Sequence, residues 1–468
     1  MGFGQIKLLD AASKRCSQEQ SISMERAKKV VDLAFVRGGE CRDAPSFTVK
    51  PRRAVRSVRG TQKGMTGRRT LPIVALTLLT ALNFLNYIDR YILPAVQPLI
   101  KEEFRVSDTA LGALTTVFFV FYMCSAPGIG FLADRYSRKV IIVIGAFIWS
   151  GATLLTAFTF SFIALLIRHT VVGVGEATFA LIAPAYIVDL FSEERRGRIL
   201  SIFYLATPVG AALGYIIGGA LGPRFGWRAP FYVCAIPGFL VATAFYFSGA
   251  EPMRGEREVA LYTVERTTFT GLLRNRAFWT ATLGLALMTF AIGGISSWMP
   301  TFLEREKGVP LARANYYFGL LTVMSGLAGT ATGGWLGDLW LRRSRGGYYL
   351  LSAFSVLLAV PGALLAFYGD PAWMFPALGI AEFFLFLNTG PLNAAIVNSV
   401  AAPIRATAIG LNLFIIHLLG DAISPTIIGA ISDRSSLRMG FSVTLIAMVL
   451  SGGVLFLGTR FAPPRASD

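Results

Sequence analysis

The sequence predicts an all-α membrane protein of twelve spanning helices in two like halves, on three observations. Apolar residues make up 54% of the 468 and charged residues 15%, where an average soluble protein carries about 25% charged residues; mean hydropathy is +0.58. From Leu71 onward the apolar residues fall into about twelve long runs with short breaks. The longest break divides these runs into two sets whose motifs echo one another.

The first seventy residues (1–70) are polar, Arg-rich and without a sustained apolar period, so they cannot build a core of their own. They lack the apolar stretch and small-residue cleavage site of a secretory signal. An organellar presequence is poor in acids, whereas this segment contains Asp10, Glu19, Glu25, Asp32, Glu40 and Asp43. A disordered basic tail is the expectation, with Met65 as an alternative natural start.

The runs cover approximately 71–99, 110–132, 140–159, 162–191, 198–221, 229–249, 277–302, 316–338, 348–368, 373–400, 406–431 and 438–459. A spanning helix needs about 20 apolar residues, whereas a barrel strand shows only about ten in alternation, so these runs read as helices. The domain plan is therefore an N-terminal six-helix bundle over 71–249, an inter-bundle loop over 250–276, a C-terminal six-helix bundle over 277–460 and a short tail over 461–468. Numbering loops from a cytoplasmic N-terminus places Arg135, Arg138, Lys139, Arg195, Arg196, Arg198, Arg254, Arg257, Arg342, Arg343 and Arg405 on one side, and mixed charge at 101–105 and 304–307 on the other. Positive residues mark the cytoplasmic side, so both termini are expected inside. The net charge of +17 thus reads as topology, and no nucleic-acid partner is implied.

GFLADRYSRK (130–139) closes the second run as GGWLGDLWLRR (333–343) closes the eighth. SEERRGRILS (192–201) precedes the fifth as APIRATAIG (402–410) precedes the eleventh. Matched halves are the mark of a transporter with its site near the midplane. Gly210, Gly214, Gly218 and Gly222 leave one face of the fifth helix bare for a close neighbour, and SSWMP (296–300) is expected to break the seventh, where a bend can gate the outer side.

Within the membrane the fourth run carries Arg168, His169 and Glu176, and a charge near the centre of a span costs about 2.5 to 3.5 kcal/mol on insertion scales. These residues must face a cavity or a partner helix. Asp89 and Arg90 lie in the first run. Counted along the runs, Asp89 and Arg168 fall at comparable depths and are expected to pair. Glu176, deeper, is the candidate proton carrier, with Asp89 and Arg168 completing the proton-coupling set. Burial disfavours its charge and a guanidinium favours it, so an arginine moving between helices switches its proton affinity. The plainer alternative is a permanent Asp89–Arg168 pair that only fastens the first bundle. Arg90, Arg168, Glu382 and Asn388 are candidate substrate contacts. His417 and Asp421, one turn apart, read as a polar contact within the second bundle.

These residues also carry a family resemblance. GFLADRYSRK resembles the loop motif of the major facilitator superfamily, and LLIRHTVVGVGEA its fourth-helix motif through Arg168, Gly173 and Gly175. NFLNYIDRY (83–91), VGVGEATFALIAPAYIVDLF (172–191), SIFYLATPVGAALGYIIGG (201–219), RATA (405–408) and HLLGDAISPTIIGAISD (417–433) resemble the spinster family of lipid transporters. The resemblance implies two six-helix bundles, alternating access, a bacterial-type member in the inner (plasma) membrane and a lipid-like solute of lysophospholipid or sphingolipid type. It also assigns Gly130, Asp134, Arg135 and Arg138 to a latch that joins the halves when the molecule faces outward; a merely solvated loop is the alternative. No enzyme is expected, since there is no P-loop, the chain has only two histidines, and no nucleophilic triad or metal spacing appears. No cofactor is expected beyond a proton gradient, and the protein is expected to act as a monomer in the lipid bilayer. Two further readings stay open: a proton-coupled carrier of a small organic anion, to which Arg90 and Arg168 are suited, and a non-transporting membrane sensor.

Overall fold

A computed structural model describes residues 72–191, 193–248, 269–400 and 404–463. The basic tail with Met65, most of the inter-bundle loop with Arg254 and Arg257, and the last five residues lie outside the described residues.

The first half comprises α1 (Pro72–Phe104), α2 (Asp108–Arg135), α3 (Arg138–Thr156), α4 (Phe162–Leu190), α5 (Glu193–Phe225) and α6 (Ala229–Phe247). After a five-residue helical turn, Phe269–Leu273, the second half contains α7 (Arg276–Arg305), α8 (Leu311–Arg343), α9 (Gly347–Tyr368), α10 (Pro371–Leu387, continued by Thr389–Asn398), α11 and α12 (Leu437–Gly458). Helix α11 runs as Arg405–Ile416, a π-helical turn His417–Asp421, and Ser424–Arg434. Eleven of the twelve are long and apolar enough to cross a membrane by length and composition. The twelfth is α8, whose 33 residues are rich in glycine and end in two arginines. Among the described residues there is no strand.

The breaks between helices are short, and about half of the helix starts carry a side-chain cap. Ser107, Ser137, Ser161, Asn275 and Ser436 each accept a hydrogen bond from the backbone N–H three residues on, at 3.1–3.2 Å, satisfying one of the donors that a helix start leaves open. The turns after α5 and α7 pass through Gly226 and Gly308 with φ of 84° and 66°, a region open to glycine at no steric cost.

Inside the first half, α5 lies on α1 through the predicted bare face. A Cβ at Gly210 or Gly214 would come within 2.7 or 2.6 Å of the Phe84 or Ile88 carbonyl oxygen, and one at Gly218 within 2.5 Å of the Ala95 methyl. The second half repeats the device between α8 and α10, where Gly329 and Gly333 meet the carbonyls of Phe383 and Leu387. The expected break at SSWMP does not occur, for α7 is one helix through Pro300. Proline removes one intrahelical hydrogen bond, and the Trp298 indole, fully buried and donating to the Pro425 carbonyl at 2.8 Å, ties this stretch to α11.

The halves meet along two seams. On α2–α11, Gly112 faces the Pro425 carbonyl, Gly429 faces the Asp108 carbonyl, and the Thr116 hydroxyl donates to the Ala422 carbonyl. On α5–α8, Gly219 meets Asn315 and Gly319 meets the Ala212 carbonyl. In the orientation that the basic loops predict, all these contacts lie in the outer half of the molecule. Toward the inner end, a Cβ at Gly128, Gly130, Gly334 or Gly410 would meet nothing within 4 Å. The arrangement is closed outside and open inside.

Candidate functional site

Arg90 of α1 lies fourteen residues before that helix's outer end, and Glu176 of α4 fourteen residues after its own outer end. Both therefore sit about 21 Å deep along their helices, at 1.5 Å per residue, and they pair. Arg90 donates to Glu176 Oε2 from Nη2 at 2.6 Å and from Nε at 3.0 Å. The Glu176 side chain is fully buried, while 18% of the Arg90 side chain remains accessible, so the arginine is the less buried partner of the pair. Glu176 Oε1 has no hydrogen-bond partner, although the Asn86 amide lies beside the carboxylate.

The guanidinium is ringed by aromatic faces, with Tyr87 at 5.0 Å, Phe118 at 5.1 Å, Tyr122 at 5.7 Å and Phe119 at 5.8 Å. Arginine is suited to such a box because its flat, weakly hydrated cation is drawn to the negative ring faces. The box reaches the other half. Phe119 stacks on His417 of α11 at 5.1 Å, and Tyr122 meets the same ring edge-on at 5.8 Å. His417 Nδ1 lies 2.9 Å from Asp421 Oδ2 within the π-helical turn. The polar contact expected inside the second bundle is thus present, but its ring also touches the first.

The expected Asp89–Arg168 pair is not formed. Arg168 is six residues from the outer end of α4, whereas Asp89 is fifteen from the outer end of α1. Helix α1 runs on past Pro94 and Pro98 to Phe104, which places Asp89 deeper than its apolar run indicates. Asp89 instead accepts from the Thr153 hydroxyl of α3. Arg168 donates to the Leu155 carbonyl and the Thr159 hydroxyl at the outer end of α3, where a helix leaves carbonyls without partners. The same corner holds Arg228, bidentate to Glu103 at 2.7 Å on both oxygens and bonded to the Thr159 carbonyl, with Trp227 donating to Glu103 at 2.7 Å.

Glu382 of α10 is buried and accepts from the Thr322 hydroxyl at 3.1 Å, with its Oε2 unpartnered. Asn388 stands where α10 changes segment, fully buried, with neither amide atom partnered. Of the latch residues, Gly130 faces open space, Asp134 and Arg135 are exposed, and Arg135 covers the Phe131 ring at 3.5 Å. Arg138 pairs with Asp189 of α4, inside its own half.

Reasoning from the sequence missed the aromatic box, Thr153, and the outer closure around Asp108. The run FFVFYMC at 118–124 was a signal for the first, being dense in rings on a helix expected to neighbour a buried arginine. At the closure, buried Asp108 accepts from Lys101 at 2.7 Å, Arg305 at 2.7 and 2.9 Å and Ser432 at 2.6 Å. Asp433 accepts from the Asp108 and Thr109 backbone N–H groups at 2.7 and 2.9 Å and from the Thr109 hydroxyl at 2.6 Å.

Two six-helix halves closed at one end, open at the other, with a charge pair buried inside the first of them, define a membrane transporter and not an enzyme. Comparison with known proteins agrees. Residues 79–425 match the Major Facilitator Superfamily model. The chain is 35% identical over 420 residues to protein spinster homolog 3 of Danio rerio, covering 82% of this chain and 84% of that one. It is 33% identical over 423 residues to a sphingosine-1-phosphate transporter of the same fish, covering 83% and 84%. Among solved structures it is similar to a bacterial homologue of the human lysosomal transporter spinster in an inward-facing, unoccupied conformation, with a TM-score of 0.76, 25% identity, and coverage of 84% of this chain and 97% of that one. The chain belongs to the Major Facilitator Superfamily and, within it, to the spinster family.

Proposed function

We propose that the protein is a secondary active transporter that works by alternating access, is coupled to protons through Glu176, and moves an amphipathic, lipid-like solute. The observation that carries this reading is the Arg90–Glu176 pair, fully buried on the glutamate side and 18% accessible on the arginine side. A proton on Glu176 cancels its attraction for the guanidinium, and a freed Arg90 can move within a box whose Phe119 and Tyr122 rings meet His417 of the second half. The coupling thus passes from a carboxylate in α4 through Arg90 and the α2 aromatics to α11. Asp89, held by Thr153 on the other side of α1, is the adjoining acid in this scheme and shares the field of Glu176.

Two observations weigh for a lipid-like solute over a small organic anion. One is the relative named as a sphingosine-1-phosphate transporter. The other is that both cations suited to an anion are engaged, Arg90 by Glu176 and Arg168 by the end of α3. Glu382 and Asn388, with unpartnered buried polar atoms, are the proposed headgroup contacts in the second half, and Asp134, Arg135 and Arg138 the proposed latch of the outward-facing state. Binding of lysophospholipids, a sphingoid phosphate and a panel of small carboxylates to the purified protein tests the solute class. Saturable binding confined to the carboxylates would refute the lipid reading. Both termini are proposed to be cytoplasmic, in a bacterial inner membrane, and the working unit a monomer.

A further inference from the structure

Pro300 lies inside α7, five residues before that helix's outer end. A proline has no N–H, so the carbonyl four residues earlier, that of Ser296, has no donor from its own helix turn. A dry carbonyl in that condition is costly unless another group supplies the bond. Here the donor comes from the other half of the molecule, as the Tyr215 hydroxyl of α5 donates to the Ser296 carbonyl at 2.7 Å. The two residues lie at matching depth, ten and nine residues from the outer ends of α5 and α7.

The tyrosine is aimed by packing as well as by this bond. Its side chain is fully buried, with the Tyr91 ring at 5.2 Å and the Phe318 ring of α8 at 4.9 Å. Gly319 lets α8 approach until a Cβ there would lie 3.4 Å from that of Tyr215. Tyr91 of α1 also interacts with Ser296, so two helices of the first half converge on one point of α7.

We infer that the Ser296 carbonyl, freed by Pro300, is a catch that Tyr215 engages to hold the outer ends of α5 and α7 together while the transporter is open to the inside. When those ends part, the crevice fills with water and water replaces the hydroxyl. The catch therefore favours the inward-open arrangement by the net worth of one part-buried hydrogen bond over its water-bonded alternative, which amounts to a factor of about 2 to 10 in the ratio of the two arrangements. A proline serves here as a source of an acceptor, and the role rests on alternating exposure of the two sides but not on which solute or ion is carried.

The test uses the full chain with its native cysteines replaced and spin labels at Arg224→Cys and Arg313→Cys, exposed positions near the outer ends of α5 and α8. In liposomes, Tyr215→Phe keeps the ring and loses the hydroxyl. Pro300→Ala restores an N–H that draws the carbonyl back toward the helix axis. Each is expected to raise the outward-open fraction about 2- to 10-fold in the ratio, and the double variant to do no more than either alone. Ser296→Ala retains the carbonyl but loses the Tyr91 contact, and is expected to shift the ratio less than Pro300→Ala does. Two populations that neither variant shifts, shifts that add, or a Ser296→Ala effect as large as that of Pro300→Ala would each overturn the catch. Should Tyr215→Phe fail to fold, Pro300→Ala alone decides by the same criterion. A parent with one population under every pH and solute condition would count against alternating exposure itself, and with it the catch.

Discussion

Arg168 and Arg90 show how differently two arginines of one bundle are employed. Arg168, at the outer end of α4, joins the Leu155 carbonyl and Thr159, and through Thr159 the Arg228–Glu103 pair. Its work is to hold the ends of α1, α3, α4 and α6 in one corner. Arg168→Ala is therefore expected to lower stability by about 1.5 to 3 kcal/mol, the range for hydrogen bonds that involve a charged group, and to leave the response to a pH gradient intact in whatever protein folds. Thermal unfolding in detergent together with gradient-driven uptake checks this; normal stability with lost coupling would return Arg168 to the proton path. Asp89→Asn is expected to fold, because the amide oxygen still accepts from Thr153. The partner choice was not legible from the sequence because it depends on depth. Apolar runs understate α1 by five residues at its outer end, and that difference exchanges Arg168 for Glu176 as the residue level with the Asp89–Arg90 pair. That the buried charges Asp89 and Glu176 of the first half belong to the first and fourth helices was legible, since each is intolerable against lipid.

At the scale of elements, most of the plan was written in the pattern of glycines and caps. The bare face of α5 meets α1 where the four-residue glycine spacing put it, and the serine caps stand where the runs begin. What the sequence left unread is where helices of different halves touch, because a glycine gives no sign of which backbone it admits. The α2–α11 seam is the case in point. Gly112 and Gly429 let the two backbones approach until a Cβ would lie 2.4 or 2.3 Å from a carbonyl oxygen of the opposite helix. Gly112→Val is thus expected to hold the outer side apart without unfolding either half, since α2 meets that carbonyl only when the outer side is closed. Cysteines engineered at the outer ends should then label several-fold faster than in the parent, and an unchanged rate would remove the seam from the gating contacts. Asp433 caps α2 from the other half. Asp433→Ala is expected to cost about 0.5 to 2 kcal/mol of preference for outer closure, the range for loss of a helix cap, visible as a smaller shift in the same assay.

For the whole molecule the question is what links the two seams to an energy source, and the proposed answer is the proton on Glu176. Glu176→Gln fixes the neutral form and keeps the shape and most hydrogen-bonding capacity. If protonation releases Arg90, this variant has the release made permanently, so its halves should still exchange and solute should still bind and equilibrate. What it should lose is accumulation driven by an imposed pH gradient, because no group in the box then changes charge between the two sides. Arg90→Ala is the harsher change, leaving the Glu176 carboxylate buried without a partner, which costs about 3 to 5 kcal/mol where such pairs are broken; it is expected to express poorly. The double change Arg90→Ala with Glu176→Gln removes both charges and should recover folding but not coupling. Counterflow and gradient-driven uptake in the same proteoliposomes separate exchange from coupling. If Glu176→Gln accumulates solute like the parent, the coupling proton is carried elsewhere, and Asp89 and Glu382, both buried within the spans, become the next carboxylates to replace.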